Sequence, residues 1–176
     1  MMKRILRNQS GFTLIEMLIV IIIMGILAMV IIPQVGVSTD DAKLNTMQTN
    51  LLTLRNALEL YYAQHNSRYP GAYLAGDGTT PTNNGTCPQA FEEQLTHYTD
   101  INGKISTTRD STFRYGPYLK AKELPANPFN DDHKVKCDVN IADITDRTAD
   151  SSTGWFVHTK TGVFFANDGG AGHNEL

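Results

Sequence analysis

The sequence predicts an α+β chain: one long N-terminal helix, membrane-spanning in its first half, packed by its second half on a small antiparallel β-sheet head. Three observations carry this reading. Residues 12–32 read FTLIEMLIVIIIMGILAMVII, a run with one charge, Glu16, and one hydroxyl, Thr13. An apolar stripe at helical spacing follows, from Leu44 to His65. Two strand-like runs, 155–158 and 163–167, flank a turn near the C-terminus.

The first element is the apolar run. Twenty-one helical residues reach about 31 Å, close to the hydrocarbon thickness of a bilayer. The flank before it, MMKRILRNQSG, is basic. By the positive-inside rule this flank stays in the cytoplasm and the rest of the chain faces outward. A cleaved secretory signal is the first alternative. The run is longer than an ordinary apolar signal core, and a carboxylate stands near its start. A plain signal anchor is the second alternative; it explains the length and charge but neither Glu16 nor Gly11.

A carboxylate at membrane depth costs several kcal/mol unless it is paired or neutralised, roughly 2.5–3.5 on insertion scales. A cut between Gly11 and Phe12 would create an α-amino group about one helical turn from Glu16. That amine could pair with Glu16 of the same chain or of a neighbour, which makes intramembrane pairing a reason to polymerise.

The stretch Gly11-Phe12-Thr13-Leu14-Ile15-Glu16 resembles the cleavage signature of type IV pilins and type II secretion pseudopilins. The resemblance is strong over residues 1–66 and weaker beyond. It implies a pilin-like fold and a prepilin peptidase that cuts after Gly11 and methylates the Phe12 amine. Phe12 and Glu16 would serve assembly. Gly25 and Pro33 fall where such subunits carry a helix-loosening glycine and proline. The resemblance further implies a homo-polymeric filament, raised from the bacterial inner membrane by an assembly platform and its ATPase. The chain would be single-pass in membrane lipid with its head in the periplasm, or extracellular in a true pilin.

Four segments follow from this: a leader at 1–11, a transmembrane and assembly helix at 12–33, its amphipathic continuation at 34–66 and a globular head at 67–176. Pro33 removes a helix hydrogen bond and Gly36 adds backbone freedom, which predicts a bend or melted turn. It would act as a compliant joint or simply kink the helix. Leu44, Met47, Leu51, Leu54, Leu58, Tyr61 and His65 then step by alternating three and four residues, one face of a helix. This face is expected to bury against the sheet. Ser67 and Tyr69-Pro70-Gly71 should end the helix, and 67–86 reads as an exposed loop.

In the head, residues 88–98 suit a short helix with proline in its first turn. Residues 113–119 and 135–141 have strand character. Leu124-Pro125-Ala126-Asn127-Pro128-Phe129-Asn130 reads as a fixed loop and resembles the proline-containing loop of type II pseudopilin heads. Thr159-Lys160-Thr161-Gly162 is a hairpin turn between the last two strands.

Charge and cysteines narrow the function. The chain of 176 residues has 15 basic and 18 acidic side chains and a net charge of −3. Removing Lys3, Arg4 and Arg7 with the leader leaves 12 basic against 18 acidic, a net of −6. Such a body offers no broad nucleic-acid surface, and no nucleic-acid partner is expected. Cys87 and Cys137 lack zinc-ligand spacing; in an exported domain they read as one disulfide, the alternative being two separate buried thiols. No nucleophile motif and no phosphate-binding glycine loop is present, so no enzyme is predicted. Two oxygen-rich clusters, one with Asn127, Asn130, Asp131 and Asp132 and one with Asn167 and Asp168, could hold calcium. Asp168-Gly169-Gly170 resembles part of a pseudopilin calcium loop, and solvated turns are the other reading.

The function predicted is a structural subunit of a type II secretion pseudopilus. A type IV pilin forming surface fibres for adhesion, motility or DNA uptake is the alternative, and a monomeric membrane-anchored binding protein is a third.

Overall fold

The structure, a computed structural model, describes residues 11–176, with the backbone alone at 30–38. The predicted leader therefore lies outside the described residues apart from Gly11. The chain divides into two compact units, 1–42 and 43–176. Helix α1, Leu14–Gln64, contributes to both. Its helical backbone continues through Pro33 and Gly36, which corrects the expectation of a melted turn. Proline removes one intrahelical bond, and a helix survives that loss where the turns on both sides persist.

In the first unit, every described side chain from 11 to 29 is exposed. Among the described residues no helix is long and apolar enough to cross a membrane. The described side chains of the apolar run end at Met29.

In the second unit the predicted stripe is the helix's contribution to the core. Met47, Leu51, Leu54, Leu58, Tyr61 and His65 are all buried. The helix ends where Asn66 and Ser67 turn left-handed, at φ of 54° and 58°. The Ser67 N–H donates back to the Tyr62 carbonyl and closes the last turn, so the helix stops just before the Ser67 and Tyr69-Pro70-Gly71 signals.

Helix α2, Cys87–Thr96, places Pro88 in its first turn and buries Ala90, Phe91, Gln94 and Leu95. The Gln94 amide is a clamp. Its oxygen accepts from Gly71 N–H, and its nitrogen donates to the Tyr73 and Gly103 carbonyls. Residues 113–119 are not a strand. The N–H groups of Tyr118 and Leu119 both donate to the Leu95 carbonyl at 2.9 Å, so they serve the open end of α2. Tyr115 keeps only an isolated bridge to Thr99, and Pro117, after a cis bond, has no N–H to extend it.

A two-residue hairpin, β1 (Tyr98–Thr99) and β2 (Ile105–Ser106), lies between α2 and that segment. The main sheet has three strands, β3 (Val135–Asp138), β4 (Trp155–His158) and β5 (Phe164–Ala166), in that spatial order. β4 and β5 form the predicted hairpin, with Gly162 at φ 73° in its turn. β3 is shorter than expected because the Asp138 carboxylate accepts the Asn140 and Ile141 N–H groups and turns the chain.

The sheet is mixed rather than antiparallel throughout. β3 runs parallel to β4, with Val135 opposite Trp155. The connection at 139–154 is long enough to return the chain to the same end, which a tight turn cannot do. Trp155, Val157, Phe164 and Ala166 join the α1 stripe in one core. Phe156, His158 and Phe165 form an aromatic cluster, with ring centroids 5.2–5.6 Å apart. Cys87 and Cys137 form the expected disulfide, tying the first residue of α2 to β3.

Candidate assembly site

The N-terminal end of α1 is built by a reciprocal hydrogen-bond box. Thr13 precedes the first helical residue, Leu14, and Glu16 stands three residues on. The Thr13 N–H and hydroxyl both donate to Glu16 Oε2, at 2.7 and 2.8 Å. The Glu16 N–H donates to Thr13 Oγ1 at 3.3 Å. Two of the unsatisfied donors of a helix start are met this way, and the carboxylate gains two donors of its own. Sequence reasoning singled out Glu16 for its charge but passed over Thr13. The signal was present, since Thr-x-x-Glu before an apolar run is a capping-box pattern.

The chain before this box is open. Gly11, Phe12 and Thr13 are non-helical and exposed, and Phe12 is 81% exposed. The Gly11–Phe12 bond thus lies on accessible, unstructured backbone, as peptidase cleavage requires. Beyond the box the apolar side chains point outward on all sides, including Leu14 at 84% and Met29 at 80% exposure. A helix apolar all round is suited to lipid or to other helices, not to one face of a core. Among the described residues, a Cβ placed on Gly25 would meet nothing within 4 Å.

The oxygen-rich loops meet at a second place, but as partners of each other. The Asn127 amide nitrogen donates to the Gly154 carbonyl and to Asp168 Oδ2, at 2.9 and 2.8 Å. Asp168 Oδ1 accepts from Gly170 N–H at 2.8 Å and pairs with His173 Nδ1 at 2.9 Å. The Asp132 carboxylate accepts the Lys134 N–H, and Asp131 takes a left-handed turn at φ 55°. Among the described residues no three His, Cys, Asp or Glu side chains form a metal cage. The Asp168 oxygens thus accept from amide, backbone and imidazole nitrogens.

Burial sets the protonation of the head's two buried histidines. His65 is pulled below its ordinary value mainly by burial; its ring nitrogens reach the Tyr61 carbonyl at 2.8 Å and Thr99 Oγ1 at 2.9 Å. His158 is pulled down by burial as well, against the opposing charges of Asp146, Asp138 and Asp143. Among the described residues its buried Nδ1 has no hydrogen-bond partner.

Comparison with known proteins matches the N-terminal segment to a family and most of the chain to curated relatives. Residues 6–32 match the family described as Prokaryotic N-terminal methylation motif. The chain is 30% identical over 129 residues to type II secretion system core protein G of Vibrio cholerae serotype O1, covering 73% of this chain and 71% of that protein. It is 28% identical over 129 residues to the protein of the same name from Aeromonas hydrophila, covering 73% of each. Over 64 residues, 36% of this chain and 44% of the relative, it is 42% identical to that of Pseudomonas aeruginosa. No solved structure matches the chain. Since the first of these similarities, at 30% identity, covers more than two thirds of both chains, the chain belongs to the pseudopilin family of type II secretion system core protein G.

Proposed function

We propose that this chain is a structural subunit of a type II secretion pseudopilus, cut by a prepilin peptidase between Gly11 and Phe12 and methylated on the new Phe12 amine. Residues 12–32 anchor it in the inner membrane as a single span, with the leader inside and the head in the periplasm. An assembly platform and its ATPase, supplied by other proteins, draw subunits from the bilayer into a homo-polymeric filament. Its contribution to secretion is mechanical, and no step of this reading uses catalysis by the chain. The observation that carries it is the Thr13–Glu16 box, which stands directly after the accessible Gly11–Phe12 bond and at the head of an apolar helix exposed on all sides.

The box supplies the chemistry of entry and assembly. Before assembly, Glu16 takes its donors from Thr13 of its own chain, which lowers the cost of a carboxylate near lipid. After cleavage the Phe12 amine is a cation next to the box. Pairing it with Glu16 of a neighbour exchanges neutral donors for a charged one in a medium that screens little.

N-terminal mass spectrometry and imaging of the protein from its native host test the reading. Expected are chains beginning at methylated Phe12, confined to the cell envelope. Long surface fibres of the same processed chain would reassign it to a type IV pilus. An intact leader on the exported chain would overturn the proposal.

A further inference from the structure

The head distributes its charge unequally along the chain. Residues 104–122 carry five cations, Lys104, Arg109, Arg114, Lys120 and Lys122, against one carboxylate, Asp110. Residues 138–150 carry four carboxylates, Asp138, Asp143, Asp146 and Asp150, against one cation, Arg147. Among the described residues the side-chain ion pairs are Lys136–Asp150 and His173–Asp168, so of these groups Asp150 alone is paired. Asp110 accepts from the Thr112 and Phe113 N–H groups. Asp143 and Asp146 each accept from the N–H and hydroxyl of the threonine two residues on.

Helix α1 separates the two segments. Thr53 lines an open groove of about 380 Å³ with Leu119, Lys120, Glu123, Leu124 and Pro125. Gln64, on the same flank of the helix, accepts from the Tyr118 hydroxyl at 2.7 Å. Arg55 and Glu59 instead line a cleft with Arg147. Thr53 and Arg55 are two residues apart, about 200° around a helix. The basic segment therefore borders one flank of α1 and the acidic connection the opposite flank.

Each flank also has an apolar feature. Ile144 follows Asp143 and stands two residues before Asp146; at 68% it is the most exposed large apolar side chain of the second unit. Across the helix, the groove has Leu119, Leu124 and Pro125 as its apolar lining. Its border carries Lys120 and the exposed Lys122, with Glu123 as one carboxylate against two lysines. An apolar knob between carboxylates complements an apolar groove bordered by lysines. Within one chain the two cannot meet, because they lie on opposite flanks of α1.

We infer that Ile144 of one copy seats in the Leu119–Pro125 groove of a second copy, with Asp143 and Asp146 meeting Lys120 and Lys122. Such a contact is heterologous: each copy that offers its knob keeps its own groove free for another, so the contacts form an open series. The inference rests on the filament reading above and names a contact that joins one head to the next.

The full-length chain is tested in its native host with Ile144→Cys and Ala121→Cys combined, and with each alone. Mild oxidation of the combined variant should give a ladder of dimers, trimers and longer species, and neither single variant should. Peptide mapping should join position 144 of one copy to position 121 of another. In the combined background, Asp143→Lys with Asp146→Lys, or Lys120→Glu with Lys122→Glu, should cut the ladder at least about fivefold. All four reversals together should restore it to within about twofold. These positions are exposed, so every variant should keep processed Phe12 and the Tm of the head. No ladder from the combined variant, with filaments of the processed chain present, would overturn the inference and leave the filament reading standing. Dimers of Ile144→Cys alone at the combined variant's yield would mean that knob meets knob, and reversals that are not restored together would mean that the flanks serve other partners; either overturns the inference. A wild-type chain that forms no filaments would overturn the filament reading itself.

Discussion

The two units of the chain use apolar residues in opposite ways. In the second unit they are spent internally: Met47, Leu51, Leu54, Phe91, Trp155 and Phe164 are essentially without solvent contact. In the first, Phe12, Leu14, Ile15 and their successors through Met29 are exposed on every side of the helix. The head thus carries its own stabilisation, roughly 1.5–3 kcal/mol for each large apolar side chain withdrawn from water. The N-terminal helix can gain the same only from lipid or from other chains. Substitutions in one unit should therefore leave the property of the other untouched.

The largest separation is expected at Glu16. Glu16→Leu should abolish filaments while the Tm of the head stays within about a degree of wild type; filaments at normal yield would break the division at its most informative point. The converse is Trp155→Ala. Trp155 donates its indole N–H to the Pro125 carbonyl at 2.8 Å and packs on Phe164 at 5.7 Å. Its loss should cost about 3–5 kcal/mol in denaturant unfolding of the head, without slowing cleavage at Gly11. Replacing both Cys87 and Cys137 with serine opens a loop with a sequence separation of 50. The expected cost is roughly 3–4 kcal/mol in the same measurement.

Smaller effects come from titration. His65 and His158 are both depressed by burial, so the unfolded chain binds their protons more readily than the folded one. Their stabilising contribution is complete above the ordinary histidine value of about 6.5 and is lost as the pH falls from there toward the depressed values. Tm should fall between pH 7.5 and 5.5, and His158→Phe should flatten part of that slope. Smallest of all is calcium. With Asp168 committed to Asn127, Gly170 and His173, millimolar calcium against chelator should leave Tm unmoved. A rise of several degrees would show that the ion displaces those donors.

What could be read in advance follows the range of the interactions involved. The α1 stripe, the start of α2 and the β4–β5 hairpin are local patterns of period and turn chemistry, and they stand where the sequence puts them. The parallel pairing of β3 with β4 depends on how the 139–154 connection returns, which no local pattern encodes. Residues 113–119 alternate like a strand, yet their N–H groups are drawn to the end of α2 by a contact that periodicity does not express. At the assembly end, Glu16 was legible from charge alone, whereas Thr13 needed the helix boundary to be known to within one residue. At the Asp168 corner, composition reports the oxygens but not the donors that Asn127 and His173 bring to them.

The pairing of α1 with the last hairpin also fixes an order of events in time. Arg55 donates to the Phe164 carbonyl across 109 residues of sequence, and the stripe from Met47 to Leu58 shares its core with Trp155 and Phe164. Contacts of such separation form slowly, and they cannot form until the final strands have been synthesised. The second half of α1 has no sheet to lie on while translation proceeds. In the reading proposed above, the anchor reaches the bilayer while the head is still an unfinished chain. Folding then completes on the far side, where the same oxidising compartment closes Cys87 onto Cys137. A ribosome stalled before Trp155 would leave a subunit already inserted and unable to fold.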